Sequence, residues 1–515
     1  MRKLLVFFAF LLCPLSANAQ WRQAVSDHFV IYAEGEYDWI RNFAEELERF
    51  DRGARRLRNL PDPSTAPATK VTVYVISSSS AFTKLAGSNR IGGFYVARES
   101  GARAFLPKLG GTDNMRQTLF HEYTHHIYMV AWANVAIPGW LQEGLAEFHS
   151  SAEFNKDGSL VIGREPATRY WELSELTTDK IRDMLLMSKS ASGVDVYYGG
   201  GWLLTHFLTF SPGRENQIGG YIAAINRGKS LGDAANEAFG DTGKLGSDLA
   251  RYRRNTGLRA VVVPKADLQI GPVVVRPLTA AETATIEIRI QSDRGVNERT
   301  RDGVYALAKA AAAPYPNDAA AQRVLTEAAY DAKDFAAAEA AADRAIAADP
   351  KLGSAYAYKA MAMIARAHAD KDSSAPRWAA IRKTIADGKR ADPDNPELLM
   401  MFYRSFGQSG MAPNQPAKQA LYRAVVLAPQ VASIRFTAAV QLIKDGLAAE
   451  AKSVLRPLAF NPHSRKSAER ARAAIEEIDK GDMEGASKAL VGGEDPDTDE
   501  DPPAPNPEPG KQPAA

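Results

Sequence analysis

His121-Glu122-Tyr123-Thr124-His125 (HEYTH) and, a little further on, Pro138–Phe148 (PGWLQEGLAEF) decide how the chain is read. On an α-helix, residues four apart lie one turn apart on the same face, so His121 and His125 can share one metal ion. Glu122 falls about 100° round from His121, where it serves a water at the metal rather than the ion itself. The second piece supplies Glu143 as a third ligand, with Glu147 one turn beyond it. Two histidines and a glutamate leave one position for water, which is the ligand set of a catalytic zinc site rather than a structural one. A solvated surface helix with the same letters is the alternative reading, and the second acidic segment argues against it.

These residues resemble the gluzincin metallopeptidases, whose HExxH is followed by a WL-x-EG-x-A segment. Trp140, Leu141, Glu143, Gly144 and Ala146 stand in that segment, and seventeen residues separate His125 from Glu143. The resemblance implies an α+β zincin-like fold and one Zn2+ per chain on His121, His125 and Glu143. It makes Glu122 the general base for peptide-bond hydrolysis, and Glu147 the outer carboxylate that accepts a hydrogen bond from a ligand imidazole. Gluzincin aminopeptidases also carry a Tyr-x-x-Gly at the start of a later helix. Tyr198 and Gly201 match it, so Tyr198 is the implied oxyanion donor and Tyr197 the fallback. The strand Ala102–Leu106 stands where these enzymes place an edge strand that pairs with substrate backbone. Their Gly-x-Met-Glu-Asn motif is not found before His121, which leaves endo- against exopeptidase open. The metzincin pattern needs Gly at 128 and His at 131, where Tyr128 and Ala131 stand. His126 and His206 are read as packed side chains outside the chemistry.

Arg2 and Lys3, the apolar run Leu4–Leu12 and Ala17-Asn18-Ala19 read as a secretory signal peptide, residues 1–19, cleaved after Ala19. Cys13 is the single cysteine and falls inside it, so the mature chain has no disulfide, which suits a periplasmic or secreted protein of bacterial type. The chain has 63 basic and 61 acidic residues, and losing Arg2 and Lys3 makes the counts equal. That balance argues against nucleic acid as a partner. No later stretch is apolar enough to span a membrane.

Residues 20–257 form the expected peptidase domain. Phe29–Tyr32, Val71–Ile76, Gly93–Ala97 and Ala102–Leu106 read as strands, and Tyr37–Leu57 as a helix with apolar residues at helical spacing. The metal-site helix is expected from an N-cap at Asp113 to about Ala131, with Pro138 in the first turn of the next. Residues 258–300 read as a small β-rich connector, with strands at Val261–Val263, Val273–Val275 and Ile286–Ile290. From 301 to 491 the chain turns alanine-rich, and prolines recur at Pro316, Pro350, Pro393, Pro429 and Pro462. That period is similar to tetratricopeptide (TPR) repeats, two antiparallel helices per unit. Residues 319–350 fit best, with Leu325, Phe335, Ala338, Ala345 and Asp349-Pro350 at packing positions and Thr326 in place of a small residue. Such an all-α solenoid implies a protein partner or a peptide or protein substrate. Residues 492–515, rich in Pro, Asp and Glu, form a tail too polar to bury a core. Two functions are compatible with these features: an exported zinc metallopeptidase, or a non-catalytic periplasmic TPR scaffold whose zincin domain is vestigial or regulatory.

Overall fold

The computed structural model describes residues 20–491, except 90, 109–111, 167–168, 175, 187–194 and 256. The expected leader, 1–19, and tail, 492–515, lie outside the described residues. The chain opens with an antiparallel pair, β1 (Trp21–Val25) and β2 (Phe29–Glu34), followed by helix α1 (Tyr37–Arg58). Ile40, Phe43, Ala44, Leu47 and Phe50 recur on one side of α1 and are buried, and the helix stops at Asn59 in the left-handed region, φ 50°. Then come β3 (Val71–Ile76), α2 (Ser79–Ala86), β4 (Phe94–Val96), β5 (Arg103–Pro107), α3 (Thr112–Ala131) and α4 (Gly139–Ser150). The strands β6 (Glu153–Phe154) and β7 (Leu160–Ile162) lead to α5 (Tyr170–Ser174), α6 (Thr178–Leu186), α7 (Asp195–Phe210), α8 (Gln217–Asn226), α9 (Leu231–Phe239) and α10 (Thr242–Tyr252). Two more strands, β8 (Val261–Val263) and β9 (Val274–Pro277), precede α11 (Ala280–Arg294).

The main sheet has the order β4-β5-β3-β2-β1-β9, parallel at β5-β3 and β3-β2 and antiparallel elsewhere. Side chains alternate across it. One face sends Phe29, Ile31, Val73 and Leu106 into a core with Phe43 and Phe50 of α1 and Phe120 and Ile127 of α3. Phe50 and Phe120 stack with centroids 3.8 Å apart, which seats α3 on α1. Burying each such ring stabilises the fold by roughly 1.5–3 kcal/mol. The other face, with Tyr32, Tyr74, Phe94 and Phe105, is covered by Phe82 of α2 and by Ile286 and Ile290 of α11.

Three expectations are corrected by the fold. The stretch Ile286–Ile290 is helical, inside α11, which starts on a capping box of Thr279 and Glu282. Its I-x-I-x-I alternation serves two neighbours: Ile286 and Ile290 share one helical face on the sheet, whereas Ile288 packs with Val304 and Val324 of the repeats. The expected connector is no separate module, because β9 is the outer strand of the main sheet beside β1, and β8 closes a small sheet of order β6-β7-β8. Ala102–Leu106 is not an edge: β5 is paired on both sides, and β4 holds the edge. In addition α3 begins at Thr112, one residue before the expected cap Asp113, whose side chain lies outside the described residues. The strand β1, with its mixed WRQAV sequence, carries no alternation that marks it in advance.

The remaining helices form a solenoid of antiparallel hairpins. They are α12 (Arg301–Ala312), α13 (Ala319–Asp331), α14 (Phe335–Ala348), α15 (Gly353–Ala369), α16 (Ala375–Ala391), α17 (Pro396–Gln408), α18 (Gln415–Leu427), α19 (Ala432–Lys444), α20 (Ala448–Ala459), α21 (Arg465–Lys480) and α22 (Met483–Val491). Asp318, Asp334, Asn395 and Asn414 cap their helices through side-chain bonds to the third residue on. Fully buried alanines, among them Ala328, Ala338, Ala345 and Ala360, let the helices approach closely. Thr326 fits there because its hydroxyl donates to the Gln322 carbonyl at 2.7 Å. The repeats also dock on the sheet domain. Arg404 forks onto Glu99 at 2.7 and 2.8 Å, Arg456 donates to the Asn226 carbonyl at 2.9 Å, and buried Arg435 donates to the Ala133 carbonyl. No helix among the described residues is long and apolar enough to cross a membrane.

Candidate metal centre

The helix α3 places His121 and His125 one turn apart, with their Nε2 atoms 3.3 Å from each other and their rings nearly perpendicular. The helix α4 brings Glu143 Oε2 to 3.4 Å from His121 Nε2 and 3.7 Å from His125 Nε2. What lets α4 sit this deep is its crossing with α7. A Cβ on Gly144 would lie 2.4 Å from the Gly201 carbonyl oxygen, and one on Gly201 would lie 2.5 Å from that of Trp140. Only glycine fits at either place.

These three atoms suit a small dication. Glu143 Oε2 is buried with no hydrogen-bond partner, and the three ligand atoms lie within 4.8 Å of one another. Tetrahedral zinc with bonds of about 2.0–2.1 Å needs its ligands roughly 3.3 Å apart, close to what His121, His125 and Glu143 present. On its far side the His121 ring places Nδ1 3.2 Å from Glu147 Oε1. A proton on Nδ1 leaves the Nε2 lone pair pointing at the centre. Glu147 is itself gripped by Arg169 at 2.8 Å, Arg169 reaches Glu172 at 3.2 Å, and Glu172 accepts from the Gly199 backbone at 2.7 Å. This chain of contacts ties the His121 ring to the first turns of α7.

Tyr198 stands on α7 beside that chain, its ring centroid 5.9 Å from that of His121 and the Arg169 guanidinium 4.4 Å over its face. The side chain of Tyr197 lies outside the described residues. Glu122 is half-buried, and its charge is felt by both Tyr198 and His463. His126 turns away and meets the Tyr95 hydroxyl at 2.8 Å, and His206 is buried between Tyr252 and the Arg259 carbonyl. Both are held neutral, burial lowering them to about 3 and about 4.

The field at the centre favours positive charge. Burial alone would raise the Glu143 carboxyl, but the imidazoles of His463, His125 and His121 hold it well below its usual range. Burial likewise opposes the Glu147 carboxylate, yet His121 and Arg169 bring it down to about 2. Burial would lower His121, and the neighbouring carboxylates of Glu143 and Glu147 outweigh it and raise the imidazole to about 10. In His125 burial prevails over Glu143, and its pKa is lowered. Burial first, then the Glu143 and Glu122 charges, raises the Tyr198 hydroxyl, which stays a proton donor across the physiological range.

Three residues at the site escape a reading of the sequence. Arg169 and Glu172 sit in a segment without periodicity, and His463 follows a repeat-boundary proline far along the chain. Beside the centre an apolar cleft of about 600 Å³, including the space open to solvent, runs between α3 and α4 on one side and the repeats on the other. Met129, Trp132 and Leu145 line the first wall, Pro457 and Leu458 the second.

No family model matches the sequence, and no curated protein matches it. Among solved structures the chain is similar to TTC0263, a thermophilic TPR protein of Thermus thermophilus, at 18% identity and TM-score 0.32, over 38% of this chain and 100% of that one. It is also similar to yeast Tom70, at 11% identity and TM-score 0.26, over 75% of this chain and 78% of that one. At these scores neither likeness bears on the metal centre.

Proposed function

We propose that the chain is an exported zinc-dependent hydrolase of peptide bonds whose TPR-like repeats bind a protein partner or substrate. The observation that carries this reading is the convergence of His121 Nε2, His125 Nε2 and the unpartnered Glu143 Oε2. Zinc bound there supplies a Lewis acid that polarises a carbonyl and eases deprotonation of water near neutral pH. Glu122 takes the proton from the attacking water and returns it to the leaving amine. The Tyr198 hydroxyl donates to the oxygen on which charge develops. Glu147, backed by Arg169, keeps His121 in the ligating tautomer.

The extent of the solenoid favours a second reading, a non-catalytic scaffold whose extended repeat surface does the work while the metal centre only organises the fold. Metal analysis and peptide-library cleavage on residues 20–515 separate the two, with wild type beside Glu122→Gln. The hydrolase reading expects one zinc in each protein and cleavage by the wild type only. Zinc in both with cleavage in neither moves the assignment to the scaffold.

A further inference from the structure

Glu143 shows its two oxygens to different parts of the molecule. Oε2 faces His121 and His125, whereas Oε1 lies 2.9 Å from Nε2 of His463. His463 belongs to the turn between α20 and α21, in the repeats, and its ring stands edge-on to His125 with centroids 4.8 Å apart. The turn is tied to α4 at the residue just before the ligand: Gln142 Nε2 donates to the Phe460 carbonyl at 2.9 Å. Within the turn, Asn461 Oδ1 accepts from the His463 backbone at 2.9 Å, and Ser464 caps α21.

We propose that the repeats are a working part of the metal centre, with His463 as a positioning residue. Its Nε2 stands 2.9 Å from the outer oxygen of Glu143 and confines that oxygen, which would leave Oε2 to face the metal. The inference rests on the metal-centre reading above. His463 is not itself one of the converging ligands, since the group within 4.8 Å comprises His121, His125 and Glu143. A ligating carboxylate free at its outer oxygen can swing or chelate through both oxygens, and the close contact with His463 restricts that freedom. Partners of this kind are worth roughly 10–100-fold in metal affinity. In consequence the site is complete only while the α20–α21 turn is docked on α4.

The test is zinc affinity by chelator competition, together with the visible absorption of the cobalt-substituted protein, on residues 20–515. Wild type is compared with His463→Ala and His463→Gln. The His463 side chain is 34% exposed in a turn, so the variants are expected to fold, and circular dichroism verifies it. The proposal expects about tenfold or more weaker zinc binding in His463→Ala and an altered cobalt spectrum. Partial rescue is expected in His463→Gln, whose amide keeps a donor. Equal affinity and identical spectra in wild type and His463→Ala would overturn the role of His463 and leave the metal centre standing. Equal weakening in both variants would overturn it in favour of packing. A wild type that binds no zinc sinks the metal-centre reading and this inference with it.

Discussion

Gly144 and Gly201 are two residues whose absence of a side chain carries the site. Because each faces the other helix's backbone, no rotamer change relieves an added methyl, and α4 must back away from α7. Gly144→Ala is therefore expected to cost roughly 1–3 kcal/mol, read as a lower thermal midpoint, and to weaken zinc binding by displacing Glu143 next to it. Arg169→Ala removes the clamp on Glu147 while leaving His121, His125 and Glu143 in place. It should lower zinc affinity by roughly 10–100-fold, whereas Arg251→Ala, mostly exposed on α10, should leave it unchanged. At this scale the sequence is readable wherever the geometry is local. His121 and His125 need only a helix to face one another, and Glu143 needs only the next helix. Arg169 and His463 reach the centre by tertiary packing, and neither stands in a pattern that announces it.

Among the elements, α11 holds the two halves of the chain together. Its Ile286 and Ile290 close the aromatic back of the sheet, its Ile288 starts the stack of repeats, and Asp293 meets Arg103 at 3.4 Å and the Tyr74 hydroxyl. Ile288→Asp should loosen the first repeats, α12 and α13, from α11 while the α20–α21 turn stays docked on α4. Limited proteolysis between α11 and α13 is expected to quicken several-fold, with zinc content unchanged. The same helix shows why a strand is expected there. Three isoleucines at period two are the mark of a half-buried strand, and β-branched residues strengthen it. A helix with apolar neighbours on two sides satisfies the same letters, and only the fold supplies the second neighbour. The mistaken edge at Ala102–Leu106 has a similar origin, since pairing partners are decided by strands distant in the sequence.

Across the whole molecule, a cluster of acids lies where the repeats meet the β4–β5 region. Burial and the Glu99 charge raise Glu397 to about 7, and burial and the Glu327 charge raise Asp331 to about 7. Both values exceed those of the unfolded chain, so between about pH 4 and 7 the folded protein binds more protons than the unfolded one, and this contribution to stability falls as pH rises through that window. The thermal midpoint is expected to carry a downward component from pH 5 to 7.5 that Glu397→Gln reduces, the Asp331 part remaining; an unchanged pH slope in the variant would count against it. The two-part organisation of sheet domain and helical repeats is visible in the sequence through composition and the proline period. The absence of a true connector is not, because β8 and β9 are short and their partners, β7 and β1, lie far back in the chain.

That last pairing has a consequence for the order in which the protein is made. The strand β1 waits for β9 across about 250 residues, so the sheet is finished only after half the chain has appeared. Until then Trp21–Val25 has one side without its neighbour, and Tyr32, Tyr74 and Phe105 have no α11 to cover them. A fragment ending at residue 257 is permanently in that condition, and it should aggregate on expression where one ending after α11 stays soluble. Synthesis thus leaves the first-made half waiting on the second, and the proposed metal centre, with His463 further still along the chain, would be assembled late.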